Sequence, residues 1–218
     1  MSCAICEARK EKRFCPAVHG RICPQCCGEQ REVTLDCPSD CVYLRQAREH
    51  EKPHTMGSLD QTALFPALEI SEQFLYDHDP LIMGVSFALA KPARQDGSLK
   101  DSDLIGALAA MAKTYETLVN SGLLVERSFA SAGQQAVVTE LQELLKGYRA
   151  EEEKHLGYSR LRDSDVFRAL VFWLRMGHSL ASARPRSRAF IDFLFRQFPE
   201  KQSSIIPLEE AGSRIILP

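Results

Sequence analysis

From Leu68 to Phe198, apolar residues recur every three or four positions, the period of a helix buried along one face. The pattern predicts six helices. The first covers residues 68–77. The second starts at Asp79-Pro80, a cap followed by a proline whose missing N–H is harmless in a first turn. It runs toward Ala90, before a loop over 92–97. The third runs from about Ser102 to Ser121, with Leu104, Leu108, Met111, Tyr115, Leu118 and Val119 on one stripe, and Gly122 stops it. Ser131-x-x-Gln134 is a capping box that opens a long fourth helix, with Val137, Val138, Leu141, Leu144, Leu145 and Tyr148 inward and Gly157 at its end. Asp163 or Ser164 caps a fifth, which passes through Val166, Leu170, Trp173 and Leu174 to about Arg184, where Pro185 breaks the chain. The sixth carries Phe190, Phe193, Leu194 and Phe198. After Pro199, Ile205-Ile206 and Ile215-Ile216-Leu217 flank Glu209 to Gly212, as in an extended strap or small hairpin.

The start of the chain shows no such period until a short helix predicted over Val42 to Glu51. Met1 to Leu35 holds few large apolar residues beyond Ile5, Phe14, Val18, Ile22, Val33 and Leu35, too few to offset the entropy of ordering it. It is instead dense in cysteine. All eight cysteines lie between Cys3 and Cys41, and none lies in the 177 residues that follow. The N-terminus lacks the basic-then-apolar order of a secretory signal, and the longest apolar runs, Leu81 to Ala90 and Leu104 to Ala112, are too short to span a bilayer. The expected compartment is the cytoplasm, with no membrane partner. Thiols gathered this densely in a reducing compartment point to a metal.

Cys3-x-x-Cys6 and Cys23-x-x-Cys26 are turns that each aim two sulfurs at one ion, and together they complete a tetrahedron. Cys37-x-x-x-Cys41 would place two sulfurs on one face of a helix beginning near Pro38. Eight thiolates divide into two four-cysteine zinc sites. The preferred split is interleaved: Cys3, Cys6, Cys23 and one of Cys26 or Cys27 at the first site, and Cys15, the other of that pair, Cys37 and Cys41 at the second. Neighbours in an extended or turn segment point apart, so Cys26 and Cys27 are assigned to different ions. A sequential split, Cys3 to Cys23 and then Cys26 to Cys41, is the alternative; His19 is a spare ligand and an iron–sulfur cluster the rival metal. Filled four-thiolate sites leave no position for substrate, so the zinc is read as structural. A structural zinc site contributes about 10–16 kcal/mol of apparent binding energy, enough to fold so short a segment. The expected fold is therefore mainly α: a small two-zinc cysteine-rich module over 1–52, then a helical bundle domain over 53–218 with a short extended tail, joined through Pro53 and Gly57.

The two C-x-x-C pairs and the final C-x-x-x-C resemble the interleaved two-zinc fingers of the MYND and HIT types, a likeness that implies protein interaction. The chain departs from them in offering only Cys15 for a second pair and in placing Cys26 beside Cys27. Fungal binuclear six-cysteine clusters are a second likeness, through basic residues Arg9, Lys10, Lys12 and Arg13 between the second and third cysteines; here that interval is longer and holds Glu7 and Glu11. Over Phe14 to Leu44 the chain most resembles bacterial proteins that begin with a cysteine-rich zinc module, which implies zinc binding and no particular activity.

Net charge is −2, too small to draw the whole chain to nucleic acid. Its distribution is uneven. Pro53 to Gly157 holds 8 basic and 15 acidic residues, whereas Tyr158 to Lys201 holds 9 basic and 4 acidic. Arg160, Arg162, Arg184, Arg186 and Arg188 gather around the fifth helix, where they either contact phosphates or pair with the acidic middle of the bundle, the second being favoured. Glu152-x-x-His155 has the spacing of a di-iron bundle ligand pair but lacks a second such pair, so it reads as a solvated helix end. No nucleotide-binding or hydrolase motif occurs. The expected function is a non-catalytic adaptor or regulator that contacts another protein. The alternatives are nucleic-acid binding through Arg9, Lys10, Lys12, Arg13 and the five later arginines, and a metal-dependent enzyme within the bundle.

Overall fold

The cysteine-rich start needs only small regular elements to place its thiols. In the computed structural model, which describes residues 1–50, 64–125, 129–182 and 184–199, strand β1 (Arg13–Cys15) pairs antiparallel with β2 (Gly20–Ile22) in the register Arg13↔Ile22, Phe14↔Arg21, Cys15↔Gly20. A 3₁₀ turn over Pro16–Val18 joins them, and His19 closes it with a left-handed φ of 48°. Helices α1 (Pro24–Gln30) and α2 (Val42–His50) complete the module. Ile22, Leu35 and five of the cysteines form its buried cluster, while Phe14 and Val33 stay exposed.

The bundle consists of α3 (Glu72–Asp77), α4 (Asp79–Gln95), α5 (Asp101–Ser121), α6 (Ala132–Leu156), α7 (Asp163–Leu180) and α8 (Ala189–Gln197). Mainly helical architecture with a small N-terminal module is as the periodicity predicts. Serine hydroxyls start two helices as their chemistry allows: Ser71 Oγ accepts from the Phe74 amide and Ser131 Oγ from the Gln134 amide, both at 3.1 Å. Gly122 and Gly157 end α5 and α6 at φ of 71° and 80°, a conformation that an added Cβ would strain.

The elements differ from the periodicity in four places. Helix α3 begins at Glu72, capped by Ser71, and not near Leu68, because the Arg175 guanidinium donates to the carbonyls of Leu64, Phe65 and Leu68 and holds that stretch in a turn. Helix α4 continues through Pro92 to Gln95; Pro92 and Ala93 are buried, and their packing offsets the lost hydrogen bond. Asp79 is the first residue of α4 and His78 its cap. Arg162 rather than Asp163 or Ser164 precedes α7, which stops at Leu180. The linker around Pro53 and Gly57, His54 and the apolar tail fall outside the described residues.

Helices α4 and α6 run antiparallel, with Lys91 bonded to Glu140 at 2.7 Å and Gly84 against Leu144. Helices α5 and α6 run parallel, so this is not an up-down bundle. On either side of residues 126–128, Thr114 Oγ1 donates to Val125 O, and Ser131 Oγ donates to Asp103 Oδ1 at 2.7 Å, near the two ends of α5. Leu104, Leu108, Leu141, Leu170, Leu174 and Phe190 are fully buried in the core, each contributing about 2 kcal/mol. A Cβ on Gly177 would meet Ile105 and Phe190 at 3.0 Å, so glycine sets how closely α5 and α8 approach α7. No helix among the described residues is long and apolar enough to cross a membrane.

Charged groups join the module to the bundle. Arg48 on α2 donates to Glu32 Oε1 at 2.7 Å and to Asp192 Oδ2 on α8 at 2.5 Å. Ser39 Oγ donates to Asp192 Oδ1, Arg186 N to Glu32 O, and Lys100 and Arg186 both to Asp36. Burial alone would lower the Arg48 pKa, but the bonds to Asp192 and Glu32 outweigh it and raise it. Glu32 and Asp192 are 1% and 7% exposed, so neither can find water instead. Replacing Asp192 with alanine keeps the Arg48–Glu32 pair but removes the acceptor for one Arg48 nitrogen and for Ser39 Oγ, and should lower unfolding free energy by about 2 kcal/mol, read from urea unfolding.

Candidate metal centre

Two turns build the site. In the first, the Glu7 amide donates to Cys3 O at 2.9 Å and the Cys3 amide to Arg9 O at 2.8 Å, bending the chain so that Cys3 and Cys6 share one side. Ala4 N bonds Arg21 O at 2.9 Å and fastens this turn beside β2. In the second, Cys23 caps α1, with Pro24 as the first helical residue and Cys26 one turn on. The Cys26 amide donates to Cys23 Sγ at 3.3 Å, and the Cys23 amide to Cys3 Sγ at 3.1 Å. The sulfurs of Cys3, Cys6, Cys23 and Cys26 consequently lie within 4.8 Å of one another. A zinc tetrahedron with 2.3 Å bonds has edges of about 3.8 Å, so small side-chain movements suffice to bind one metal ion.

This geometry decides between the two splits. Cys15 lies at the end of β1, outside the group, so the sequential assignment of Cys3, Cys6, Cys15 and Cys23 fails. Cys26 and not Cys27 joins the first three. The two neighbours do diverge, but as successive residues of a helix, about 100° apart, and not as part of an extended segment. Cys37 and Cys41 also sit otherwise than the spacing predicts. Residues 38–41 form a turn with Cys41 N bonded to Pro38 O at 3.0 Å, and α2 starts only at Val42, because proline, serine and aspartate favour the turn. Burial pushes the Cys37 thiol up, an amide bond from Glu32 opposes that, and Cys15 and Cys41 are near enough to add to the rise. Among the described residues only the first four sulfurs meet within 4.8 Å.

The thiols of the gathered group cannot ionise independently. Burial would raise Cys3, but bonds from the amides of Cys6, Cys23 and Ile5 bring it down to about 6. The Cys26 amide likewise lowers Cys23. Cys26 is pushed up to about 12 by burial, then by Cys23, Cys6 and Cys3. One cluster thus holds an easy first proton and a reluctant last one, the polarisation that a divalent cation relieves. Arg9 already supplies part of that charge. Its Nη1 is 4.0 Å from Cys26 Sγ, and it also lies against Cys23, which with Cys26 and Cys6 raises its pKa.

The basic residues expected at a nucleic-acid surface are distributed otherwise. Arg9 faces the thiols, and the Arg13 guanidinium lies 4.5 Å from the Tyr43 ring centre. Lys10 and Lys12 are exposed. Arg184 donates to Gly28 O and Arg31 O, Arg186 to Asp36, and Arg188 to Gly97 O and Ala93 O. These three therefore bind the module and the end of α4, not the acidic middle of the bundle. Arg160 lies over the Tyr158 ring, and Arg162 is exposed ahead of α7. His19 is exposed and outside the sulfur group. Glu152 accepts from Ser159 Oγ and from the amides of Arg160 and Leu161, so it orders the turn after α6, while His155 lies exposed beside Glu151. Periodicity missed Glu32, Arg48 and Asp192. The available signal was Asp192 itself, a charge inside the apolar run Phe190-Ile191-Asp192-Phe193-Leu194.

Comparison with protein-family models, curated proteins and solved structures finds no match. The MYND and HIT likeness consequently rests on cysteine spacing alone. If Arg9 offsets thiolate charge, Arg9→Gln should weaken metal affinity about tenfold, with partial recovery in Arg9→Lys, as measured by chelator competition.

Proposed function

We propose that this chain is a non-catalytic zinc-binding adaptor or regulatory protein that works through protein–protein contact. The observation that carries this reading is the Cys3, Cys6, Cys23 and Cys26 group. Four thiolates complete a tetrahedral shell and leave no position for substrate or water, and zinc suits an all-thiolate site with no redox role. Cys15, Cys27, Cys37 and Cys41 are proposed to hold a second zinc ion. In support, Cys15 and Cys27 are buried in the module's apolar cluster, and Cys37 packs against it. The cytoplasm, where such thiols stay reduced, is the compartment this reading implies.

The module also offers apolar contact area. Phe14, Val33 and Val42 are 56%, 40% and 51% exposed, in a segment where apolar side chains are scarce. The engagement of Arg9, Arg184, Arg186 and Arg188 within the fold favours protein contact over nucleic-acid binding. The role of Glu152 in a turn weighs against a metal-dependent enzyme that would use it.

Metal analysis of the purified protein should give two zinc ions per chain, with one lost in Cys3→Ser and the other in Cys37→Ser; a wild-type value of one would remove the second site. In affinity pull-down from the native host, Phe14→Glu should keep its zinc and lose the partners that wild type captures. Identical partner sets for both proteins would show that the module is not the contact surface.

A further inference from the structure

We infer that the cleft between α2 and α8, where the module meets the bundle, is a binding site for a small phosphate-bearing ligand. The inference stands apart from the adaptor reading, because it rests on different residues. The cleft has a volume of about 830 Å³, within the range of small-molecule sites, and junctions between folded parts are where such sites concentrate. Arg45, Arg48 and Glu49 line it from α2, and Asp192, Phe195 and Arg196 from α8.

Arg48 is engaged between Glu32 and Asp192, whereas the other two arginines of the lining, Arg45 and Arg196, stand apart from that triad. Asp192 is already satisfied by Arg48 and Ser39. Arg45 and Arg196 are exposed, and no ion pair or hydrogen bond engages either guanidinium among the described residues. Among the described lining residues, Glu49 is the carboxylate left to oppose them. Two guanidinium forks with no partner among the described residues match the oxygens of a phosphate, and a phosphomonoester carries nearly two negative charges at neutral pH. Phe195 supplies an apolar wall for the rest of the ligand, and the Arg94 guanidinium lies 5.2 Å from its ring centre. Arg48 ties both walls together, so the ligand would bind the docked arrangement of module and bundle and hold it in place.

Isothermal titration of the full-length, zinc-loaded protein with phenyl phosphate at low ionic strength tests this. The expected result is saturable binding of one ligand per chain. Arg45→Gln and Arg196→Gln should each weaken it about tenfold, as loss of a charge-assisted bond does. Arg162→Gln makes the same charge change at an exposed position outside the cleft and should leave binding unaltered. Circular dichroism checks that the variants keep the wild-type helix content, as expected for exposed side chains. Absence of saturation with wild type overturns the site, and so does equal weakening by Arg162→Gln, which would reduce the effect to net charge.

Discussion

Arg48 sits between two buried carboxylates, Glu32 from the module and Asp192 from α8, and so ties the cysteine-bearing module to the bundle. A buried ion triad of this kind is a constraint more than a source of stability. Its desolvation offsets most of its attraction, but any arrangement that separates the partners leaves a charge buried alone. Apolar contacts could hold the two parts together in several orientations. Three charges with directed hydrogen bonds, each 2.7 Å or shorter between Arg48 and its partners, allow one.

The metal centre and this junction share a short piece of chain. Helix α1 carries Cys26 at one end, and Glu32 follows it by two residues, with a left-handed φ of 52° that turns its carboxylate inward. Arg184 reaches back to the carbonyls of Gly28 and Arg31, near the exposed end of the same helix. Cations at a helix C-terminus stabilise its unsatisfied carbonyls. A metal ion held by the four thiols would order one end of α1 and the bundle orders the other, which would couple folding of the module to its docking through seven residues.

Helix content, three of the helix ends and the thiol knuckles were legible in the chain. Leu104, Leu108, Leu141 and Leu170 repeat at helical spacing because burial along one face demands it, and Ser131 and Gly122 carry boundary chemistry in their own side chains or lack of one. The interleaved first thiol set was legible for a similar reason, since a C-x-x-C turn forms locally. Choosing Cys26 over Cys27 was not, because it depends on α1 being a helix capped by Cys23. The passage of α4 through Pro92 was hidden too, since the proline's local penalty is outweighed only once Ala93 and its neighbours are packed.

The arginines mark the same boundary. Composition shows a basic segment from Tyr158 onward but assigns its charge no destination. Local physics determined what this chain makes: helices with one apolar face, and thiol turns that point sulfurs in pairs. Tertiary structure decided what those pieces meet. It ran α5 and α6 parallel, turned Arg184 and Arg186 toward the module, and paired Arg48 with residues 16 positions before it and 144 after it. Periodicity, capping and turn formation act over a few residues and are written in neighbouring side chains, whereas charge pairing across such separations exists only after the core has brought the chain together.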